Sequence, residues 1–302
     1  MQRRYVTVDV FTNRAFGGNP LAVVLNAEGL SAIQMQAIAT EFNYAETTFV
    51  LPPRAKAHTA HVRIFTPRTE IPFAGHPNVG TGVVLAREME ANGGAPQGRL
   101  VFEEGAGLVP IRILRDGDTV VGAELTAPAA LRLGSRISAP EVAACLSLEA
   151  ADIDLKNHPP QVLSVGLPFL VAELTSKDAL RRAKPNAPTH QHILPAIGTD
   201  AIFAYVLGST PEELQARMFS PLDGIPEDPA TGSAAAATIA LLATLRTERD
   251  GEIAWRIEQG IEMGRPSLLL GRTEKHDGIV AAVHIAGFVV QVMSGLIDIP
   301  AA

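Results

Sequence analysis

Thiols are nearly missing from this 302-residue chain: Cys145, in EVAACLSL, is its one cysteine. An internal disulfide and a multi-thiolate metal site are therefore excluded, and Cys145 reads as a small buried helix residue. The same count excludes racemase chemistry in which two thiol groups face one carbon from opposite sides. Comparable proton transfer here has to use carboxylate or imidazole. Basic blocks are missing too: the formal charge is -7 and Lys and Arg gather nowhere into a run, which argues against a nucleic-acid partner. The apolar stretch near 239–245 falls far short of the roughly 20 residues needed to cross a bilayer. The opening MQRRYVTVDVF carries Asp9 early and breaks at Thr12 and Asn13, without a secretory apolar core. A cytoplasmic protein with no membrane partner is expected. FGGNP and MGRPS lack the spacing of a phosphate loop or dinucleotide fingerprint, and there is no GxSxG nucleophile elbow.

What the chain does have is 26 Gly, 22 Pro and 47% apolar residues against 19% charged, the composition of a compact protein rich in turns. Strands are expected at 5–11, 21–25, 46–51 and 61–66. Ser31 with Gln34 makes a capping box for a helix over 31–43, with Ile33, Ala37, Ile38 and Phe42 at helical spacing. A second helix should begin near Pro77 and run to Met89. Residues 99–125 alternate strand runs with EG and DG turns, which reads as a meander with no parallel crossover in evidence. Short helices near 139–146 and 176–183, strands at 161–165, 169–174 and 201–207, and an Ala-rich helix over 233–245 follow. Strands at 253–258, 267–271, 279–285 and 288–293 close the chain. The tally says α+β.

GHPNVGTG and EDPATGSA share the pattern P-x-x-G-[ST], with His76 before Pro77 and Asp228 before Pro229, about half the chain apart. Each sits by an expected helix start, which suggests a duplicated domain. The free N–H groups of a helix start form a ready anion site, and Gly lets a ligand approach them. Two such ends facing each other across a cleft could hold a carboxylate, with His76, Asp228 and the Ser233 hydroxyl beside it. His76 suits general acid or base work, or equally capping of a tight loop. Asp228 and Ser233 also serve as ordinary turn or cap residues. Glu46 falls between a helix end and a β-rich run. On an inward face it would be a proton carrier, on an outward one a solvated strand edge. The pairs His58 and His61, and His190 and His192, have local metal-like spacing but no third ligand, and surface or cap roles fit them better.

The motifs DVFTNRAFGGNPLAVV, NYAETTFV, EIPFAGHPNVGTG, GLPFLV, DPATGSAA and QGIEMGRPS, in this order along essentially the whole chain, resemble the phenazine-biosynthesis PhzF-like family. The resemblance implies a diaminopimelate epimerase-like fold of two pseudo-symmetric domains, each a curled, mostly antiparallel sheet around a central helix. The expected boundaries are 1–125 with a C-terminal strand about 287–302, and 126–286. It further implies a homodimer with no metal and no organic cofactor, acting on a small carboxylate-bearing molecule as an isomerase like that of trans-2,3-dihydro-3-hydroxyanthranilate. Glu46 looks like the proton-moving Glu, and His76, Asp228 and Ser233 like the assisting residues. Gly75 and Gly232 would allow close backbone approach, and Asn19 would organise the cleft or the neighbouring Glu. An isomerase or epimerase of another small amino or hydroxy acid, or a non-enzymatic small-acid-binding protein, are the alternatives.

Overall fold

The computed structural model describes residues 1–94 and 98–300, so that residues 301 and 302 of the expected first domain lie outside the described residues. The chain is α+β and divides into two compact units, Met1–Leu125 with the chain from Ala286, and Thr126–Ile285.

The first unit runs β1 (Gln2–Val10), β2 (Asn19–Val24), α1 (Ala32–Phe42), β3 (Glu46–Leu51), β4 (Ala60–Phe65), the short β5 (Glu70–Ile71), α2 (Gly75–Ala91), β6 (Arg99–Glu104), β7 (Gly107–Asp116) and β8 (Thr119–Thr126). Ser31 caps α1 through the expected capping box with Gln34. The buried stripe of α1 is Met35, Ile38 and Ala39, so the apolar face is set from Met35. Ile33, expected on that face, is 77% exposed. The chain from Ala286 returns to pair antiparallel with β1, with a bulge between Thr7 and Val8.

The meander over 99–125 forms as expected, with β6, β7 and β8 pairing antiparallel in turn, and parallel pairs that the sequence did not reveal are present beside it. β2 lies parallel to β3 across α1, and β4 parallel to β6 across α2. Short half-buried strands alternate identically in either direction, so residue pattern cannot report which way a neighbour runs. The first turns of α2 are buried on all sides, against β1, β2, β3 and β7. Gly80 makes this possible: a Cβ there would lie 2.6 Å from a Leu21 methyl and 2.8 Å from a Val10 methyl.

The second unit opens with β9 (Arg132–Arg136) and α3 (Ala139–Cys145), then follows β10 (Gln161–Ser164), β11 (Pro168–Glu173), α4 (Lys177–Arg182), α5 (Ala187–Ile193), β12 (Ile202–Leu207), β13 (Glu213–Ser220), β14 (Ile225–Asp228), α6 (Gly232–Leu245), β15 (Gly251–Gln259), β16 (Ser267–His276) and the start of β17 (Ile279–Asp298), whose residues from Ala286 belong to the first unit. From β10 onward this repeats the order of the first unit. Two antiparallel strands precede a helical crossover to a parallel strand (β11 to β12), and a second crossover through a buried helix follows (β13 to β15 across α6). The Ala-rich α6 packs against β10, β11, β15 and β16, its small side chains letting the strands come close. Cys145 is buried in this unit's core, as expected.

β17 is one continuous strand where the sequence suggested two. Gly287, in the gap between the expected strands 279–285 and 288–293, marks a close approach. A Cβ there would sit 2.3 Å from the Phe11 ring, and one at Gly122 would sit 2.2 Å from the Gly287 carbonyl oxygen. The carbonyl is backbone and cannot rotate away. Gly122→Ala is therefore expected to destabilise the protein by about 1–3 kcal/mol, as overpacking does, seen as a lower thermal midpoint with an unchanged circular dichroism spectrum before melting.

Candidate active site

Local structure at the end of α1 sets the position of Glu46. The helix closes on Asn43 in the left-handed conformation, φ 51°, with its N–H on the Ala39 carbonyl. Asn adopts that backbone more readily than most residues. The chain reverses, and Glu46 starts β3 opposite Leu21 of β2. β5 and the loop after it deliver α2, whose first two residues are Gly75 and His76. The Nε2 of His76 then stands 3.3 Å from a Glu46 carboxyl oxygen, with the two side chains 6% and 15% exposed. Of the two alternatives for Glu46, the structure takes the inward one.

Burial governs the electrostatics of this pair. It pushes the His76 imidazole down to about 3, against the opposing pull of a hydrogen bond to the Pro20 backbone carbonyl. The ring is therefore neutral at physiological pH, and its contact with Glu46 is not an ion pair. Asn19, fully buried, begins β2 and immediately precedes that Pro20. The turn before it needs Gly18, at φ 62° with a Cβ site 2.3 Å from the Val10 carbonyl oxygen. It is fastened by the Phe16 N–H, which donates to Asp9 at 2.6 Å.

In the second unit, Asp228 ends β14 and Gly232 and Ser233 begin α6. The Thr231 hydroxyl donates to the Asp228 carboxylate at 2.5 Å. Gln259, fully buried, holds this loop from below. Its amide nitrogen donates to the Asp228 carbonyl at 2.7 Å and the Thr231 hydroxyl at 3.1 Å, while its carbonyl accepts the Thr231 N–H at 3.0 Å. Neither Thr231 nor Gln259 was singled out from the sequence. The signal was available in Gln259-Gly260: Gly260, at φ 73°, has a Cβ site 2.7 Å from the Pro229 carbonyl oxygen.

The likeness between the two motifs stands on a different register from the one their letters suggest. His76 is the second residue of α2, whereas Asp228 lies four positions before α6 begins. Counted from the helix starts, Gly75-His76 corresponds to Gly232-Ser233. The prolines misled because Pro77 lies within its helix and Pro229 ahead of its own. Both helices begin without a side-chain cap, at Ala74 and Thr231, whereas α1, α4 and α5 are capped by Ser31, Ser176 and Asn186. The first N–H groups of α2 and α6 thus have no side chain of their cap residue accepting from them.

The remaining histidines have separate tasks. His58 meets Glu103 at 2.7 Å, His61 contacts the Arg54 guanidinium at 3.2 Å, and His190 bonds the Cys145 carbonyl at 3.0 Å.

Comparison with known proteins gives consistent matches. The family described as phenazine biosynthesis-like protein matches residues 8–295. An uncharacterized isomerase of Mesorhizobium japonicum is 37% identical over 300 residues, 97% of this chain and 98% of that protein. The trans-2,3-dihydro-3-hydroxyanthranilate isomerase of Pseudomonas chlororaphis is 35% identical over 289 residues, 94% of this chain and 95% of its own length. Among solved structures, a PhzF-family phenazine biosynthesis protein of Bacillus anthracis superposes with a TM-score of 0.86 at 28% identity, covering 99% of this chain and 100% of that one.

Proposed function

Because the chain belongs to the phenazine biosynthesis-like family, and its Mesorhizobium and Pseudomonas relatives, matched over nearly their whole length, are named isomerases, we propose that it is an isomerase that moves a proton on a small carboxylate-bearing molecule with Glu46 as the proton carrier. The observation that carries this reading is the Glu46 carboxyl set 3.3 Å from a buried neutral imidazole. A carboxylate there takes a proton from carbon. With its one N–H on the Pro20 carbonyl, the neutral ring turns a bare nitrogen toward Glu46 and accepts a hydrogen bond from the acid just formed.

On trans-2,3-dihydro-3-hydroxyanthranilate, the substrate named for the Pseudomonas relatives, the C3–H bond breaks and its proton passes to Glu46. The electron pair spreads through the conjugated system, and Glu46 returns a proton to another ring carbon. The enol so formed rearranges to a ketone, and the elemental composition is unchanged. The N–H groups at Gly75 and Gly232 are suited to a substrate carboxylate. Asp228 and Ser233 assist as further polar groups, and Asn19 keeps the Pro20 carbonyl on His76. Water exclusion strengthens each of these dipoles. The repeated element order, with Gly-His and Gly-Ser at matching helix starts, supports descent from a duplicated domain of the epimerase kind. A cytoplasmic homodimer needing neither metal nor organic cofactor completes the reading.

The test is an NMR screen of small carboxylic acids, trans-2,3-dihydro-3-hydroxyanthranilate among them, with purified protein in deuterated water and nothing else added. Solvent deuterium entering a carbon of at least one acid is expected. Binding of acids without exchange or rearrangement in any of them would overturn the proposal.

A further inference from the structure

Thr231 is the cap residue of α6, and a threonine hydroxyl there ordinarily accepts an N–H of the first turn. It makes no such bond. The hydroxyl donates instead to the Asp228 carboxylate at 2.5 Å and accepts from the Gln259 amide at 3.1 Å. All three side chains are buried.

Backbone partners determine the direction of every proton in this group. The Gln259 carbonyl accepts the Thr231 N–H at 3.0 Å, and its amide nitrogen donates to the Asp228 carbonyl at 2.7 Å. Turning the amide over would set its oxygen against the Asp228 carbonyl oxygen and its N–H groups against the Thr231 N–H, two contacts that repel. One amide hydrogen therefore serves the Asp228 carbonyl, and the other serves the Thr231 oxygen. A hydroxyl carries a single proton. Since its oxygen already accepts from Gln259, that proton is directed to Asp228. The carboxylate is the acceptor at the end of a one-way chain.

The chain starts from a firm anchor. Gln259 ends β15, opposite Ser267 of β16 and Ala216 of β13, and Asp228 ends β14 opposite Met218 of the same β13. Local stability favours a capped helix, so a cap hydroxyl diverted to a carboxylate points to the site and away from the fold as its purpose.

We infer that Thr231 is a positioning residue for the proposed isomerase: its hydroxyl, aimed by Gln259, fixes the Asp228 carboxylate in one orientation in place of capping α6. This rests on the function proposed above, in which Asp228 assists the proton transfer. Gln259 acts one step further back. Without its N–H the Thr231 hydroxyl is free to turn to the first turn of α6, and Asp228 loses the bond that orients it.

The experiment measures kcat/KM on the responsive acid for the wild type, Thr231→Val, Thr231→Ser, Gln259→Met and Asp228→Ala, and for the double variant Asp228→Ala with Thr231→Val. Rates are taken below the thermal midpoint of the least stable protein, so that folded chains are compared. Thr231→Val keeps the side-chain shape without the hydroxyl, and kcat/KM is expected to fall by about 10–100-fold, as a small misplacement within a site costs. Thr231→Ser keeps the hydroxyl and stays near wild type. Gln259→Met, which leaves the hydroxyl but no longer aims it, reproduces a loss in the same direction and serves where Thr231→Val does not fold. On the Asp228→Ala background nothing remains to be oriented, so adding Thr231→Val changes kcat/KM no further. Wild-type kcat/KM in either Thr231→Val or Gln259→Met overturns the inference. So does a loss from Thr231→Val that is equally large with and without Asp228→Ala, or one that Thr231→Ser shares. Absence of turnover by the wild type on the acid panel is failure of the isomerase reading, whereas wild-type turnover that these changes leave unmoved is failure of this inference alone.

Discussion

Glu46→Gln lowers turnover on the responsive acid by about 10²–10⁴-fold, the range lost when a positioned proton carrier is removed, while the thermal midpoint and ligand affinity stay close to wild type. The amide keeps the shape of the carboxyl and can donate to the bare nitrogen of His76, so the packing around α2 survives. What it cannot do is take a proton from carbon. Steady-state rates of the two proteins, measured at the same pH with saturating substrate, check this. A loss confined to KM would mean that Glu46 binds and does not transfer.

The largest effect on stability is expected in the second unit, at Arg217. Its guanidinium is 7% exposed and makes two bonds to Glu227, at 2.7 and 2.8 Å. It also donates to the carbonyls of Leu180 and Ala183 at 3.0 and 2.8 Å. These are carbonyls at the end of α4: Leu180 also accepts the Ala183 N–H at 3.3 Å, whereas Ala183 lies past the last turn, where the helix supplies no further N–H. Arg217→Met fits the volume but strands the Glu227 carboxylate and the Ala183 carbonyl, and should cost about 3–5 kcal/mol, as breaking a buried pair does. The denaturation midpoint in urea reports it. A double variant that also carries Glu227→Met is expected to recover part of the loss, because the stranded carboxylate is then gone.

The helices were the most readable part of the sequence, because their signals are local. Ser31 and Gln34 announce α1, and the Ala-rich run announces α6. The residues alone left Glu46 as a proton carrier or a solvated strand edge and His76 as a catalytic group or a loop cap, and the family resemblance of NYAETTFV and EIPFAGHPNVGTG marked both for the site. Strand direction was not readable, since β2 and β3 show the same alternation whether parallel or antiparallel. The groups that hold the site were hidden for a related reason. Gln259 matters through partners distant in sequence, Asp228 and Thr231, and the one neighbouring hint is Gly260, which does not say which loop it meets. The likeness of the two motifs was visible in its letters but not in its register against the helix starts, because a proline can stand inside a first helical turn or ahead of it.

The most direct measurement is proton NMR of the responsive acid in deuterated water, following one reacting carbon with wild-type protein and with Glu46→Gln. The account predicts rapid appearance of solvent deuterium at that carbon with the wild type and none above background with the variant. Equal deuterium uptake with both proteins would contradict it.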